Sequence, residues 1–158
     1  MESSKADFLK TQFVPLLKQI PSDTLPHWGK MTLQQMTEHF SESVRIASGK
    51  LQQELVTLPE NIEKMQAFLM SGKPFRENTP NPNMPEIPAP VRHKIIREAF
   101  AELEQELAAF FAVFEADFHK TTCNPFFGDL NFEQNVQLLY KHAVHHLRQF
   151  GIMIGEPV

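Results

Sequence analysis

The stretch that decides the fold is KIIREAFAELEQELAAFFAVFEADF, residues 94–118. Its large apolar residues recur at alternating spacings of four and three, which places them on one face of a helix. They are Ile96, Phe100, Leu103, Leu107, Phe110 and Phe114. Glutamates occupy the other faces, as expected where a helix meets water. The stretch therefore predicts a long amphipathic helix with one buried face.

Two further long helices are predicted on either side of this one. A helix over 32–48 is indicated by the capping box that Thr32 and Gln35 can form and by Gly49, which can end it. A second helix is predicted over 131–150, where apolar residues again follow the helical period. Both helices matter for function because they carry histidines.

The remaining helical segments are less regular. Residues 4–20 predict a helix that Pro15 kinks, because proline lacks the N–H that an internal turn needs. A shorter helix is predicted to start near Thr57, where Thr57 and Glu60 resemble a capping pair, and to end before Gly72. Alternating apolar and polar segments typical of strands are scarce.

The lengths of the joins predict the topology. Residues 21–31 and 119–130 are short joins, which favour antiparallel neighbours. Residues 50–93 are long enough to cross a bundle, and six of the chain's 12 prolines lie over 74–90, which predicts an extended surface loop. We therefore predict an all-α fold: a single domain over 1–158, built as an up-down-down-up four-helix bundle with one long crossover.

Composition excludes several classes of function. Lys and Arg total 15, compared with 19 for Asp and Glu, and the sequence contains no dense run of basic residues. It therefore does not resemble a nucleic-acid-binding protein. The single cysteine, Cys123, permits no intrachain disulfide and no cysteine-rich zinc site, and we expect it to be unreactive. The longest uncharged apolar run, Leu107–Phe114, is far shorter than the roughly 20 residues of a membrane span. With no apolar signal segment near residue 1, we expect a cytoplasmic protein.

Three of the seven histidines fall within residues 142–146. His142 and His146 are four apart, so on a helix they share a face and can chelate one metal; His142 and His145 could also do so. On a helical wheel with Phe132 at zero, His146 lies at about −40° and His142 at about −80°, bordering the buried face. His145 lies at about −140°, which predicts that it faces solvent. A helix without any metal can show the same spacing.

A pair of histidines is an incomplete site, because zinc usually takes a third protein ligand. His39 lies in the middle of the helix over 32–48, on the border of its apolar face, and is the best candidate. The alternative is a histidine at the bundle edge bonded to a backbone carbonyl. The histidines expected only at the surface or at helix ends are His27, His93 and His119.

Two segments carry a family resemblance. Trp28-Gly29-Lys30-Met31-Thr32, followed by His39, and the run YKHAVHHLRQFG over 140–151 resemble the DinB/YfiT-like metalloenzymes, especially a branch with the Trp-Gly-Lys-Met entry. Members are four-helix bundles with one histidine on the second helix and a His-x-x-x-His pair on the last. The resemblance implies His39, His142 and His146 as ligands of a divalent metal, commonly zinc or nickel. Many members have a His-His-Arg-Gly-Gln run whose glycine is absent here.

The resemblance also implies a class of chemistry. Characterised relatives are thiol-dependent S-transferases or isomerases that use bacillithiol or mycothiol, and others are regarded as hydrolases. We therefore expect a small-molecule substrate, a divalent metal and a low-molecular-weight thiol, with a homodimer as one assembly. Because imidazole must be neutral to bind metal, occupancy is expected to fall at about pH 6 or below. The alternative is a non-catalytic metal- or ligand-binding bundle with a degenerate site.

Overall fold

The computed structural model describes residues 3–78 and 87–155, and most regular structure in these ranges is helical. The elements are α1 (Ser4–Thr11), α2 (Phe13–Gln19), α3 (Leu33–Ser48), α4 (Ile62–Met70), α5 (Ile96–Ala116), β1 (Thr122–Asn124), β2 (Gly128–Leu130) and α6 (Phe132–Gln149). The two strands pair in antiparallel fashion. The predicted all-α class is therefore confirmed, with one small hairpin added.

The starts of α3 and α6 are set by local hydrogen bonds, of which the capping box at Thr32 was predicted. The Thr32 hydroxyl accepts from Gln35 N at 3.1 Å, while the Gln35 side chain accepts from Thr32 N at 2.9 Å. Asn131 and Gln134 form the same reciprocal pair at the start of α6. Gly49 ends α3 in the left-handed region, at φ 87°. These caps fix where each helix begins, and therefore which residues lie on its buried face.

The N-terminal helix is interrupted rather than bent. α1 ends at Thr11 and α2 begins at Phe13, with Gln12 between them in a non-ideal helical conformation. Pro15 lies in the first turn of α2 and cannot donate to the carbonyl four residues earlier, which is that of Thr11. Instead of the predicted kink in one helix, the chain therefore forms two helices, and the break lies about one turn before the proline.

The expected capping role of Thr57 is wrong. Its hydroxyl donates to the Phe126 carbonyl at 2.8 Å, so it links the long join to the hairpin. A 3₁₀ turn over Pro59–Asn61 comes first, and α4 begins at Ile62. Proline suits the first turn of a helix, since its missing N–H would have no partner there.

Contacts between α3 and α5 advance in the same order along both helices. Near the start of α3, the Glu38 carboxylate accepts from the backbone N of Arg92, just before α5, at 2.6 Å. Further along, Arg45 forms an ion pair of 3.0 Å with Glu102. The long join between the two helices is what permits this order. Of the predicted proline-rich loop, residues 79–86 lie outside the described residues, and the described parts contain neither helix nor strand.

α6 packs against both α1 and α5. The ring of Phe132 lies 6.0 Å from that of Phe110 and 5.5 Å from that of Phe114, joining the start of α6 to the end of α5. On the other side, Phe8 of α1 meets Tyr140 edge to face at 5.3 Å. One buried cluster contains residues from α1, α2, α3, α5 and α6. No helix of the described ranges has the length and apolar character to cross a membrane.

The β1–β2 hairpin fastens the end of α3 to the start of α6. The Thr122 hydroxyl donates to the Ala47 carbonyl at 2.8 Å, and the Asn135 amide donates to the Thr122 hydroxyl at 3.0 Å. A second small core of Leu69, Phe127 and Leu130 holds α4 on the hairpin. The hairpin was not predicted, because strands of three residues are too short to show a period. Since α3 and α6 carry the histidines, this fastening helps set their register.

Candidate metal centre

Three histidine rings converge between α3 and α6. His39 Nε2 lies 3.3 Å from His142 Nε2, although 103 residues separate them in the chain. His146 Nε2 lies 2.8 Å from the same His142 atom. One nitrogen from each ring lies within 4.8 Å of the others, and within residues 3–78 and 87–155 this is the only such group of potential metal ligands. These are the three residues that the sequence predicted.

Neighbouring side chains hold the rings in place. Phe40, next to His39 on α3, stacks on the His142 ring with centroids 4.8 Å apart and planes at 26°. The His39 ring meets the His142 and His146 rings nearly at right angles. His146 is buried, whereas His39 and His142 are half-buried. The cluster therefore lies at the edge of the core.

Gln149 determines which nitrogen of His146 carries the proton. The Gln149 Nε2 donates to the Trp28 carbonyl at 3.0 Å, so the amide oxygen faces His146. His146 Nδ1 lies 2.7 Å from that oxygen and must donate to it. A neutral ring has one proton, so Nε2 presents a lone pair to the other histidines. Hydrogen bonding of this kind typically orients a metal-binding histidine.

The segment before α3 supports Gln149 in turn. Gly29 has φ 74°, a conformation that favours glycine, and a Cβ there would lie 3.2 Å from Gln149 Nε2. His27 N donates to the Gln149 carbonyl at 2.7 Å. The Trp-Gly pair at 28–29 thus has a physical reason: it lets the chain approach the end of α6 closely. Sequence reasoning missed Gln149, although its position one turn after His146 was a usable signal.

Burial keeps the three rings neutral. Burial, together with the charge of His145, lowers the pKa of His39 from its usual 6.5 to about 4. Burial also lowers the pKa of His142 and His146 well below the ordinary value. Positive charge on the neighbouring histidines acts in the same direction on both pKa values. All three are therefore ready to bind metal at neutral pH without losing a proton. Proton competition is expected nearer pH 4 than pH 6.

The arrangement fits a divalent cation. With Zn–N bonds of about 2.0–2.1 Å, two ligands of a tetrahedral ion lie about 3.3 Å apart, and the two short separations here are 3.3 and 2.8 Å. Without a cation, His142 Nε2 could form only one of these two contacts as an ordinary hydrogen bond, because it carries either one proton or one lone pair. Among the described residues, no carboxylate belongs to the cluster. Three neutral nitrogen donors suit zinc or nickel rather than calcium or magnesium.

His145 is not the solvent-facing residue that the helical wheel predicts. Its ring lies 5.3 Å from that of Trp28 and 6.1 Å from that of Phe75, and the residue is half-buried. The wheel treats α6 alone, whereas segments distant in sequence cover this side of the helix. His145 nevertheless lies outside the three-histidine cluster.

Three other residues, Arg148, Cys123 and Glu38, do not belong to the histidine cluster. Arg148 forms an ion pair of 2.9 Å with Glu77. Cys123 lies in β1 and is exposed. Partial desolvation of its thiol and the nearby charge of Asp129 raise the pKa of the thiol, which disfavours the reactive thiolate. Glu38, next to His39 on α3, turns away from the histidines, and its carboxylate accepts from Arg92 N.

The remaining histidines lie apart from the cluster. His119 is exposed, and His93 Nε2 lies 3.0 Å from a carboxylate oxygen of Glu102.

Comparison with known proteins found no matching family model, curated protein or solved structure.

Proposed function

We propose that this chain is a metal-dependent enzyme acting on a small molecule, either a thiol-dependent S-transferase or a hydrolase. The observation that carries the proposal is the convergence of His39, His142 and His146 with their Nε2 atoms directed at one another. A divalent ion bound there would supply Lewis-acid activation of a thiol or of water. Because all three ligands are neutral, the full positive charge of the ion would remain available.

We also propose that the helices form an up-down-down-up four-helix bundle of the DinB/YfiT type. Two observations support this. The α3–α5 contacts advance in the same order along both helices, from Glu38–Arg92 to Arg45–Glu102. The end of α5 meets the start of α6 through Phe114 and Phe132, as expected of antiparallel neighbours. The histidine positions match the motif quoted for that family.

A second candidate function is metal binding without catalysis. It is favoured by the surroundings of the cluster. The three histidine rings contact one another, and they also contact Phe40, His145 and Gln149. No carboxylate joins these contacts in the part of the chain that the structure describes, so the protein itself offers no acidic general base beside the metal.

Metal content measured by mass spectrometry tests the site. His39→Ala and His146→Ala should each abolish stoichiometric zinc or nickel, because two imidazoles hold such ions weakly. His145→Ala, which lies beside the cluster, and His119→Ala, which is exposed, should both retain the metal. Loss in His145→Ala with retention in His146→Ala would show that the ligand pair is wrongly assigned.

Turnover assays separate the enzyme from the metal-binding protein. The metal-loaded chain should consume bacillithiol or mycothiol in the presence of an electrophile, or hydrolyse an activated ester, and His39→Ala should do neither. Cys123→Ser should keep the full rate, since its thiol is not part of the cluster. If metal binds with full occupancy and no thiol alters the absorption of the cobalt-substituted protein, the transferase proposal fails. If ester hydrolysis is absent as well, metal binding without catalysis is the better description.

A further inference from the structure

A cavity separate from the histidine cluster lies between α1, α6 and the segment after α4. It has a volume of about 80 Å³ and opens to solvent. That space is large enough for several water molecules, and so it can accommodate a phosphate or carboxylate group. His145 forms part of its wall, and the His145 ring lies 5.2 Å from that of His146. The cavity and the candidate metal centre are therefore neighbours, but they share none of the three ligands.

The charge of the cavity wall is one-sided. Among the described residues, its lining includes four cationic side chains and no carboxylate. The four are Lys5, Lys73, Lys141 and Arg148. Arg148 is partly neutralised by the exposed Glu77. The three lysines have no such pairing in the ion pairs of the described residues.

Lys141 differs from the other lysines of the cavity because it is largely buried. It is only 8% exposed, and its Nζ donates to the Phe68 carbonyl at 2.9 Å while lying over the Phe68 ring. Both of these partners are neutral, so its charge is not compensated by an acid. An ammonium group has three donors, and the carbonyl takes one of them. A largely buried ammonium group without an acidic partner is unfavourable, and an anion in the adjoining open cavity could accept from its remaining donors.

Lys5 approaches the same cavity from α1. Its Nζ donates to the Gln137 side chain at 2.6 Å, again a neutral partner. Two ammonium groups from different helices thus converge on one space and repel each other. An oxyanion between them would replace that repulsion with charge-assisted hydrogen bonds.

We propose that this cavity binds the oxyanion of a small molecule, a phosphate or a carboxylate, held by Lys5, Lys141 and Lys73. The site goes beyond the proposed metal function and does not require it. Because one binding group is a buried lysine on α6, the anion is fixed relative to the helix that carries His142 and His146.

Calorimetric titration of the metal-loaded protein tests the site. Inorganic phosphate and acetate are the two probes, at constant ionic strength set with chloride. At least one should bind, and Lys5→Gln and Lys73→Gln should each weaken that binding about tenfold, since each removes a charge-assisted hydrogen bond. Lys18→Gln removes the same charge from α2, where Lys18 pairs with Glu104, and should bind like the parent. The probe that binds more tightly identifies the anion.

The proposal would be overturned by no binding of either probe, by equal weakening in Lys18→Gln, or by loss of binding in His39→Ala, which would place the anion on the metal. Lys73 is exposed, so Lys73→Gln gives a folded variant even if Lys5→Gln does not. Circular dichroism confirms folding, and unchanged affinity in a folded Lys73→Gln and Lys141→Met would also contradict the site.

Discussion

Gln149 makes one hydrogen bond that determines how the candidate metal centre is protonated. Its amide oxygen accepts from His146 Nδ1, and its amide nitrogen is held by the Trp28 carbonyl. Gln149→Leu should therefore lower metal affinity 10- to 100-fold, the usual effect of removing such a partner. The measurement is competition with a chromophoric chelator at pH 7.

Gln149→Glu is the control for the bond to His146, since a carboxylate still accepts from His146 Nδ1 although it cannot donate to the Trp28 carbonyl. Its metal affinity should stay close to that of the parent, while Gln149→Leu loses it. If both variants bind metal equally well, the hydrogen bond does not orient His146, and the effect of Gln149 is limited to packing.

Single residues were predictable where one helix decides their direction. The border positions of His142 and His146 follow from the period of α6, and His39 follows from that of α3. The environment of His145 could not be predicted, because Trp28 and Phe75 reach it from other segments. The lysine cavity escaped prediction for the same reason: Lys5 and Lys141 belong to different helices.

At the scale of the element, α6 depends on its first turn. Asn131→Ala removes the side chain that accepts from Gln134 N at 2.9 Å. The free energy of unfolding should fall by about 1 kcal/mol, as is typical for loss of an N-cap. Urea unfolding measures this loss. Metal content should not change, since His142 lies about three turns further along the helix.

Asn131→Asp serves as the control, because aspartate caps helices about as well as asparagine. It should unfold at nearly the parental urea concentration. Loss of metal in Asn131→Ala under native conditions would mean that the whole of α6, and not only its first turn, depends on the cap.

Helix starts were predictable only where the capping partners are local. The boxes at Thr32 and Asn131 each lie within four residues, and both are present. Thr57 shows the opposite case: the same pattern was available, but a tertiary bond to Phe126 took the hydroxyl. The two strands were missed because a hairpin this short is stabilised by its contacts with α3, α4 and α6, not by its own sequence.

At the scale of the whole molecule, the histidine cluster should make stability depend on pH. Burial lowers the pKa of His39 to about 4 in the folded protein, compared with 6.5 in an unfolded chain. The unfolded state therefore binds more protons between these values, and stability falls as the pH drops from 6.5 toward 4. His39 alone accounts for about 3 kcal/mol of this change.

Urea unfolding of the metal-free protein at several pH values measures the effect. His39→Phe should make the curve flatter between pH 6.5 and 4, whereas His119→Ala should not, because His119 is exposed. An unchanged slope in His39→Phe would contradict a neutral, buried His39.

At this scale the mostly helical class was predictable from the apolar periodicity, whereas the arrangement of the helices stays a proposal based on the lengths of the joins. The short joins and the long segment before α5 are the basis of the proposed arrangement, and the order in which α3 contacts α5 and the residues just before it is what supports that proposal. The course of the crossover was not predictable, since its fixed points are single bonds such as that between Glu38 and Arg92 N.

The crossover also has a kinetic consequence. α5 and α6 are joined by a short hairpin and can associate early, whereas α3 and α5 can pair only after residues 49–95 have closed a large loop. His142 and His146 are already neighbours on one helix, so the arrival of His39 completes the cluster. An ion bound by all three would form its contacts after the rate-limiting barrier. It should therefore slow unfolding while leaving the folding rate almost unchanged, so the bound ion would stabilise the protein kinetically.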